Sequence, residues 1–128
     1  MKPATREWVK KAENDFKVAS QISRHRKDIV PDAVCFFCQQ CIEKYLKARL
    51  TEAGIEFPRT HDLRLLLDLC LRVEPLWSNY ADILDEMSDY AVDYRYPGRS
   101  ATLQEARSAL KHCRRLRAKI RKSLGLST

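Results

Sequence analysis

Glycine is scarce in this chain, three residues in 128, and proline supplies only five more. That composition excludes a collagen-like or a Pro/Gly-rich disordered chain. Long hydrophobic runs are also missing. No stretch approaches the roughly 20 apolar residues of a membrane span, and the opening Met1-Lys2-Pro3-Ala4-Thr5-Arg6-Glu7 lacks the apolar segment of a secretory signal. A cytoplasmic protein with no membrane association is therefore expected. No strand pattern, internal repeat or interdomain linker is apparent. The cysteines number five, an odd count, and Cys35, Cys38 and Cys41 fall within one expected helix, where cross-linking neighbours is geometrically poor. Reduced thiols follow. Cys-x-x-Cys is a zinc spacing, but such pairs normally sit on tight turns and a further ligand would have to come from elsewhere. The three thiols instead read as small apolar core positions, and neither a metal nor a cofactor is expected.

What is present is charge and helical periodicity. Charged residues make up 32% of the chain and hydrophobic ones 45%, the profile of a helix-prone globular domain. The length suits one domain over residues 1–128. A formal net charge of +7 favours polyanionic partners such as RNA, nucleotides or an acidic protein. The charge is unevenly placed. Lys111, Arg114, Arg115, Arg117, Lys119, Arg121 and Lys122 crowd the last fifth, whereas Asp82, Asp85, Glu86, Asp89 and Asp93 form an acidic segment. A chain so divided can also pair with itself or with an oppositely charged partner.

Trp8, Ala12, Phe16, Ala19 and Ile22 recur at helical spacing and predict an amphipathic helix from about Thr5 to Arg24. The segment from His25 to Val30 reads as a connection. Pro31 suits the first turn of a second helix, because its missing N–H has no partner there anyway, and Gly54 suits its left-handed end. Asp62 is placed to cap a third helix carrying Leu63, Leu66, Leu67 and Cys70, which ends before Pro75. A fourth is expected from about Leu76 to Val92, with Trp77, Tyr80, Ile83, Leu84 and Met87 on one side. Thr102 and Glu105 form a capping-box pattern for the last helix. Its stripe is Leu103, Ala106, Leu110, Cys113, Leu116, Ile120 and Leu124, and Gly125 is its stop. The expected fold is all-α, an up-and-down bundle of four to five helices.

The stretch CFFCQQCIEKYLKARLTEAGIEFPRTHDL carries a more specific signal. Cys35, Phe36, Gln39, Gln40, Glu43, Lys44, Leu46, Lys47, Gly54, Pro58, Thr60, His61, Asp62 and Leu63 match the pattern of the HEPN domain (higher eukaryotes and prokaryotes nucleotide-binding). Ala12, Asp15, Phe16 and Ala19 match its first helix, and Asp93, Tyr94, Arg95, Tyr96 and Pro97 its Arg-Tyr-Pro loop. The chain thus resembles small stand-alone prokaryotic members of that family over nearly its whole length. Phe37 stands where the family has His. The resemblance implies a helical bundle, a homodimer, and a nucleotide or RNA ligand. It further implies pairing with a minimal nucleotidyltransferase in a toxin–antitoxin-like module.

Catalytic members of the family are metal-independent endoribonucleases with an Arg-x(4–6)-His motif. Arg107 and His112 have that spacing, and Ser108 supplies the polar residue that often follows the Arg. His can move a proton at the ribose 2′-OH or the leaving 5′-oxygen while Arg stabilises charge on the phosphate. Five residues on a regular helix, however, place the two about 140° apart. Arg95 lies closer to where the family puts its motif Arg, but positions 100 to 102 are Ser, Ala and Thr, so no His follows at the required distance. Binding is therefore weighed ahead of cleavage. Lys44, Lys47, His61 and Arg95 are the candidates for a nucleotide- or RNA-binding groove. Gln40, Lys44 and Lys47 share one polar face that either meets phosphate or is simply solvated. His61 either approaches an anion near a helix N-terminus or hydrogen-bonds neighbouring backbone. Arg107, Arg114 and Arg121 repeat every seven residues and form a candidate phosphate-tracking stripe, with a solubilising face as the alternative. Tyr90, Tyr94 and Tyr96 offer either base stacking or aromatic packing at a helix end.

Overall fold

A computed structural model describes residues 1–24, 29–93 and 96–128, with the side chains of residues 91–93 left aside. Five α-helices and one 3₁₀ turn account for the regular structure of the described residues: α1 (Pro3–Arg24), α2 (Pro31–Ala53), α3 (Leu63–Cys70), a 3₁₀ turn (Pro75–Tyr80), α4 (Ala81–Asp93) and α5 (Leu103–Ser123). The all-α bundle expected from the sequence is the one observed. The expected fourth helix begins later than its periodicity suggested. Pro75 opens a 3₁₀ turn through Trp-Ser-Asn-Tyr, residues of middling helix propensity whose Ser and Asn compete for backbone hydrogen bonds. The turn drives Trp77 into the core while Leu76 stays exposed.

Helix α2 is the axis of the molecule. Twelve of its residues are buried, and they point in every direction around it, which is the pattern of a helix covered on all sides. α1, α3, α4 and α5 all pack against it. Its caps follow the sequence. Pro31 occupies the first turn, and Gly54 takes φ 72°, where its N–H reaches the Leu50 and Thr51 carbonyls. The three α2 thiols lie in the core together with Cys70 and Cys113, all five free. They let the helices approach closely, as small apolar side chains do.

The direction of each neighbour follows from its contacts. Lys2 and Thr5 reach Glu52, while Asp15 pairs with Lys44, so α1 runs antiparallel to α2. The Asp32 carboxylate accepts the Ala101 N–H, and Arg121 donates to the Tyr45 hydroxyl, so α5 runs parallel to α2. The segment 54–62 turns back along α2 before α3 starts. Gln39 then meets His61, and the Leu46 carbonyl meets Cys70, which makes α3 parallel to α2 as well. On this return Phe57 packs against Trp8 with ring centroids 6.2 Å apart. Asp62 caps α3 by accepting from the Arg64 and Leu65 N–H groups, and the Thr102–Glu105 box closes the start of α5.

The middle of α1 and the last turns of α5 are clasped by charge. Glu13 takes a two-pronged contact from Arg117, at 2.5 and 2.8 Å, and a third from Arg121 at 2.9 Å. The Arg117 guanidinium also lies 4.5 Å from the Phe16 ring centroid. Partial burial pushes the Glu13 carboxyl up, but hydrogen bonds from Arg117 and Tyr45 and the charges of Arg117 and Arg121 outweigh that and hold it below 4.5. A carboxyl with a lowered folded-state value contributes stability that is complete above its unfolded value and is lost as pH falls through the folded one. Glu13→Gln should therefore cost about 2 kcal/mol at neutral pH. The difference from the unchanged chain should close as pH is lowered through the acid range below 4.5. Urea titrations from pH 7 to pH 3 measure both, and a difference constant with pH would show that the clasp works by shape and not by charge.

Candidate functional site

Two polar features stand out, one internal and one on the surface. The internal one is a network along α2. Glu43 is 3% exposed and Lys47 7%, with Gln39 fully buried one turn earlier. Lys47 Nζ donates to Glu43 Oε2 at 3.1 Å, and the Gln39 amide donates to Glu43 Oε1 at 3.3 Å and to the His61 carbonyl at 3.2 Å. The Lys47 ammonium also sits 5.5 Å from the Trp8 ring centroid. Burying two opposite charges is tolerable when each has its partner and the remaining hydrogen-bonding capacity is met.

His61 completes the network from outside. Its Nδ1 lies 2.8 Å from Glu43 Oε1, while 71% of its side chain is exposed. The Glu43 carboxylate can only accept, so the contact places a ring proton on Nδ1. The alternative in which His61 bonds neighbouring backbone through its ring is therefore replaced by a contact with a carboxylate 18 positions earlier. The groove beside it is lined by Asp62, Arg64, Asp85, Ser88 and Asp89. Arg64 is engaged by Asp68 at 3.3 Å and Asp85 at 2.9 Å, so the groove presents more negative than positive charge and does not attract phosphate.

The shared polar face read for Gln40, Lys44 and Lys47 is paired internally and at most partly exposed. Lys47 is buried against Glu43, and Lys44 is 2.5 Å from Asp15 with its side chain 22% exposed. The Gln40 amide donates to Gln39 at 2.7 Å. Arg121 also leaves the seven-residue stripe, because Glu13 and Tyr45 draw its guanidinium inward. Tyr90 is buried with its hydroxyl on Glu86 at 2.9 Å, and Tyr96 is exposed. Arg95 and Tyr94 lie outside the described residues, as does the connection from His25 to Asp28.

The surface feature is the outer side of α5. Ala106, Ala109, Cys113, Leu116 and Ile120 face α2. Roughly opposite them, Arg107, Lys111, Arg114, Arg115 and Lys122 fall within an arc of about 100°, and all five are exposed. None has a carboxylate partner among the described residues; Arg115 alone is engaged, its guanidinium 5.4 Å from the Tyr80 ring centroid. Arg117 and Arg121, one to two turns away, spend their charge on Glu13. α5 is thus divided into a neutralised inner flank and an uncompensated outer face. His112 is half-buried on the far side of the core stripe from Arg107. The two members of the Arg-x(4)-His spacing do not meet within one chain.

Lys111 and Lys122 complete the surface stripe, although seven-residue counting missed them. Adding the i+4 positions would have found Lys111, whereas Lys122, eight residues after Arg114, needs a second such step. The Glu43–His61 contact spans a loop, so no periodicity could reveal it. Both residues nevertheless belong to one motif, Glu-Lys followed by Thr-His-Asp.

The geometry describes a five-helix domain with a buried ionic network under one surface histidine and a basic last helix. The sequence model of the HEPN domain family matches residues 5–123, and the chain belongs to that family. Membership places it among proteins with nucleotide- or RNA-related functions. No curated protein and no solved structure gives a match. No helix among the described residues is long and apolar enough to cross a membrane.

The network makes a direct prediction. Glu43→Gln leaves the Lys47 ammonium buried without a counter-charge and should lower stability by about 3 kcal/mol. In the unchanged protein, nitrogen-15 spectra should find the His61 proton on Nδ1; the same spectra of Glu43→Gln should show that preference lost. A proton on Nε2 alone in the unchanged protein would refute the arrangement.

Proposed function

We propose that this HEPN protein binds RNA or nucleotide phosphates on the outer face of α5. The observation that carries the reading is the row of exposed cations at Arg107, Lys111, Arg114 and Lys122, with no carboxylate partner among the described residues, on a helix where Arg117 and Arg121 are neutralised by Glu13. An uncompensated row of that kind is costly in self-repulsion unless a polyanion lies against it. Of the residues first considered for binding, Arg107 and Arg114 remain central. His61 and Arg95 stay candidates for contacts with a protein partner. Homodimer formation and pairing with a minimal nucleotidyltransferase, in a toxin–antitoxin-like module, belong to the same proposal. They rest on the resemblance to small stand-alone family members and on the separate acidic face of α4. Light scattering of the purified chain, and its co-purification with an adjacently encoded nucleotidyltransferase, test them.

If four side chains each neutralise one phosphate, affinity for single-stranded RNA should fall with salt at a logarithmic slope of roughly −3, about −0.7 per contact. Arg114→Ala or Lys111→Ala should each flatten that slope by about 0.7 without altering the fold. Fluorescence anisotropy across a salt series checks this, and a slope unchanged by both substitutions rejects the α5 face.

A ribonuclease reading is kept for one reason. Arg107 is exposed and carboxylate-free, so a second copy presenting His112 beside it would assemble the pair that a single chain separates. Such an enzyme needs no metal for 2′-OH attack on the adjacent phosphate and leaves a 2′,3′-cyclic end. Cleavage should then persist in EDTA and disappear in His112→Ala. Equal cleavage by His112→Ala, or cleavage abolished by EDTA, removes this reading.

A further inference from the structure

The basic row on α5 runs into a groove. At its N-terminal end, the C-terminal turn of α1, the start of α2 and the first turns of α5 enclose about 400 Å³, within the range of pockets that hold small organic groups. Its floor is apolar. Val34, Ala106 and Leu110 are each at most 6% exposed. Leu103 forms a wall and is 41% exposed. Ser23 and Arg107 are the polar lining. Arg107 is also the first cation of the α5 row, so the groove and the row share a residue.

We propose that this groove receives an unpaired base from the strand whose phosphates lie along α5, making the protein selective for single-stranded RNA. The inference rests on the α5 reading and specifies its ligand. A phosphate on Arg107 brings the next nucleotide to the mouth of the groove, where an aliphatic floor can bury the flat face of a base. In a duplex the bases are stacked and paired and do not reach such a groove, whereas single strands can splay a base outward. The Ser23 hydroxyl donates to the Ser20 carbonyl at 2.8 Å and so offers an approaching base only lone pairs. Burial of a base face without a set of matched donors is tolerant of sequence.

The test compares a labelled 12-nucleotide RNA, free and annealed to its complement, by anisotropy at fixed salt. Two variants change the groove without changing charge: Ser23→Phe fills it, and Leu103→Ser removes its exposed wall. Circular dichroism establishes that each is folded. The unchanged protein should prefer the single strand by about tenfold, the order of one buried or stacked base. Both substitutions should bring that ratio to within about twofold while duplex affinity and salt slope stay as they were. A preference that survives in the folded variants, or no preference in the unchanged protein, overturns the groove and leaves the α5 face standing. Absence of binding to either RNA overturns the α5 face and the groove with it.

Discussion

Everything in this molecule depends on covering α2. A helix with buried side chains on every side cannot rest against a single partner, so it needs a complete coat. α1 and α5 supply two sides, and the shorter α3 and α4 supply the rest. α3 reaches its place only because the segment before it doubles back along α2. That return has a chemical result: it carries His61 from the far end of α2 to the level of Glu43, so a packing requirement creates a contact between the internal charges and the surface.

The polar residues inside the coat show how charge is made compatible with burial. Glu43 is satisfied from three directions by Lys47, Gln39 and His61, and no buried side-chain polar atom lacks a partner among the described residues. Replacing such a network by hydrophobic residues of equal volume can be neutral or stabilising, so its value here is geometric. It fixes the level at which the loop, α1 and α2 meet. The Glu13 clasp does the same for α1 and α5. By taking Arg117 and Arg121 out of the surface charge, it leaves Arg107, Lys111, Arg114, Arg115 and Lys122 as the exposed cations of one arc of α5.

Much of the architecture was legible in the sequence because it depends on local rules. The Gly54 stop, the Asp62 cap and the Thr102–Glu105 box each involve residues a few positions apart, and each appears where the pattern placed it. The core stripes of α1, α3 and α5 follow from the same short-range periodicity, except that Leu103, counted in the α5 stripe, is 41% exposed at the helix start. Lys44, Lys47 and Arg121 were less legible. A lysine or arginine on a helix reads as solvated unless its counter-charge is known, and Asp15 and Glu13 lie on another helix. Glu43 could be paired with Lys47 from spacing alone, but its second partner, His61, comes from across a loop. The pattern of the site was therefore readable in its residue types, while the division between neutralised and open cations required the fold.

The five core thiols give the molecule a chemical memory of opening. Burial pushes the Cys35 and Cys70 thiols up to about 12. Contact with Cys113 and burial raise Cys38, and, against a lowering by contact with Cys38, contact with Cys41 and burial raise Cys113, so these four thiols offer almost no thiolate to an oxidant or an alkylating reagent. An unfolded chain exposes all five at ordinary acidity, where mispaired disulfides form readily. Loss of the protein on storage in air would then follow the frequency of large openings more closely than the time elapsed, and reducing agent would act by keeping each opening reversible.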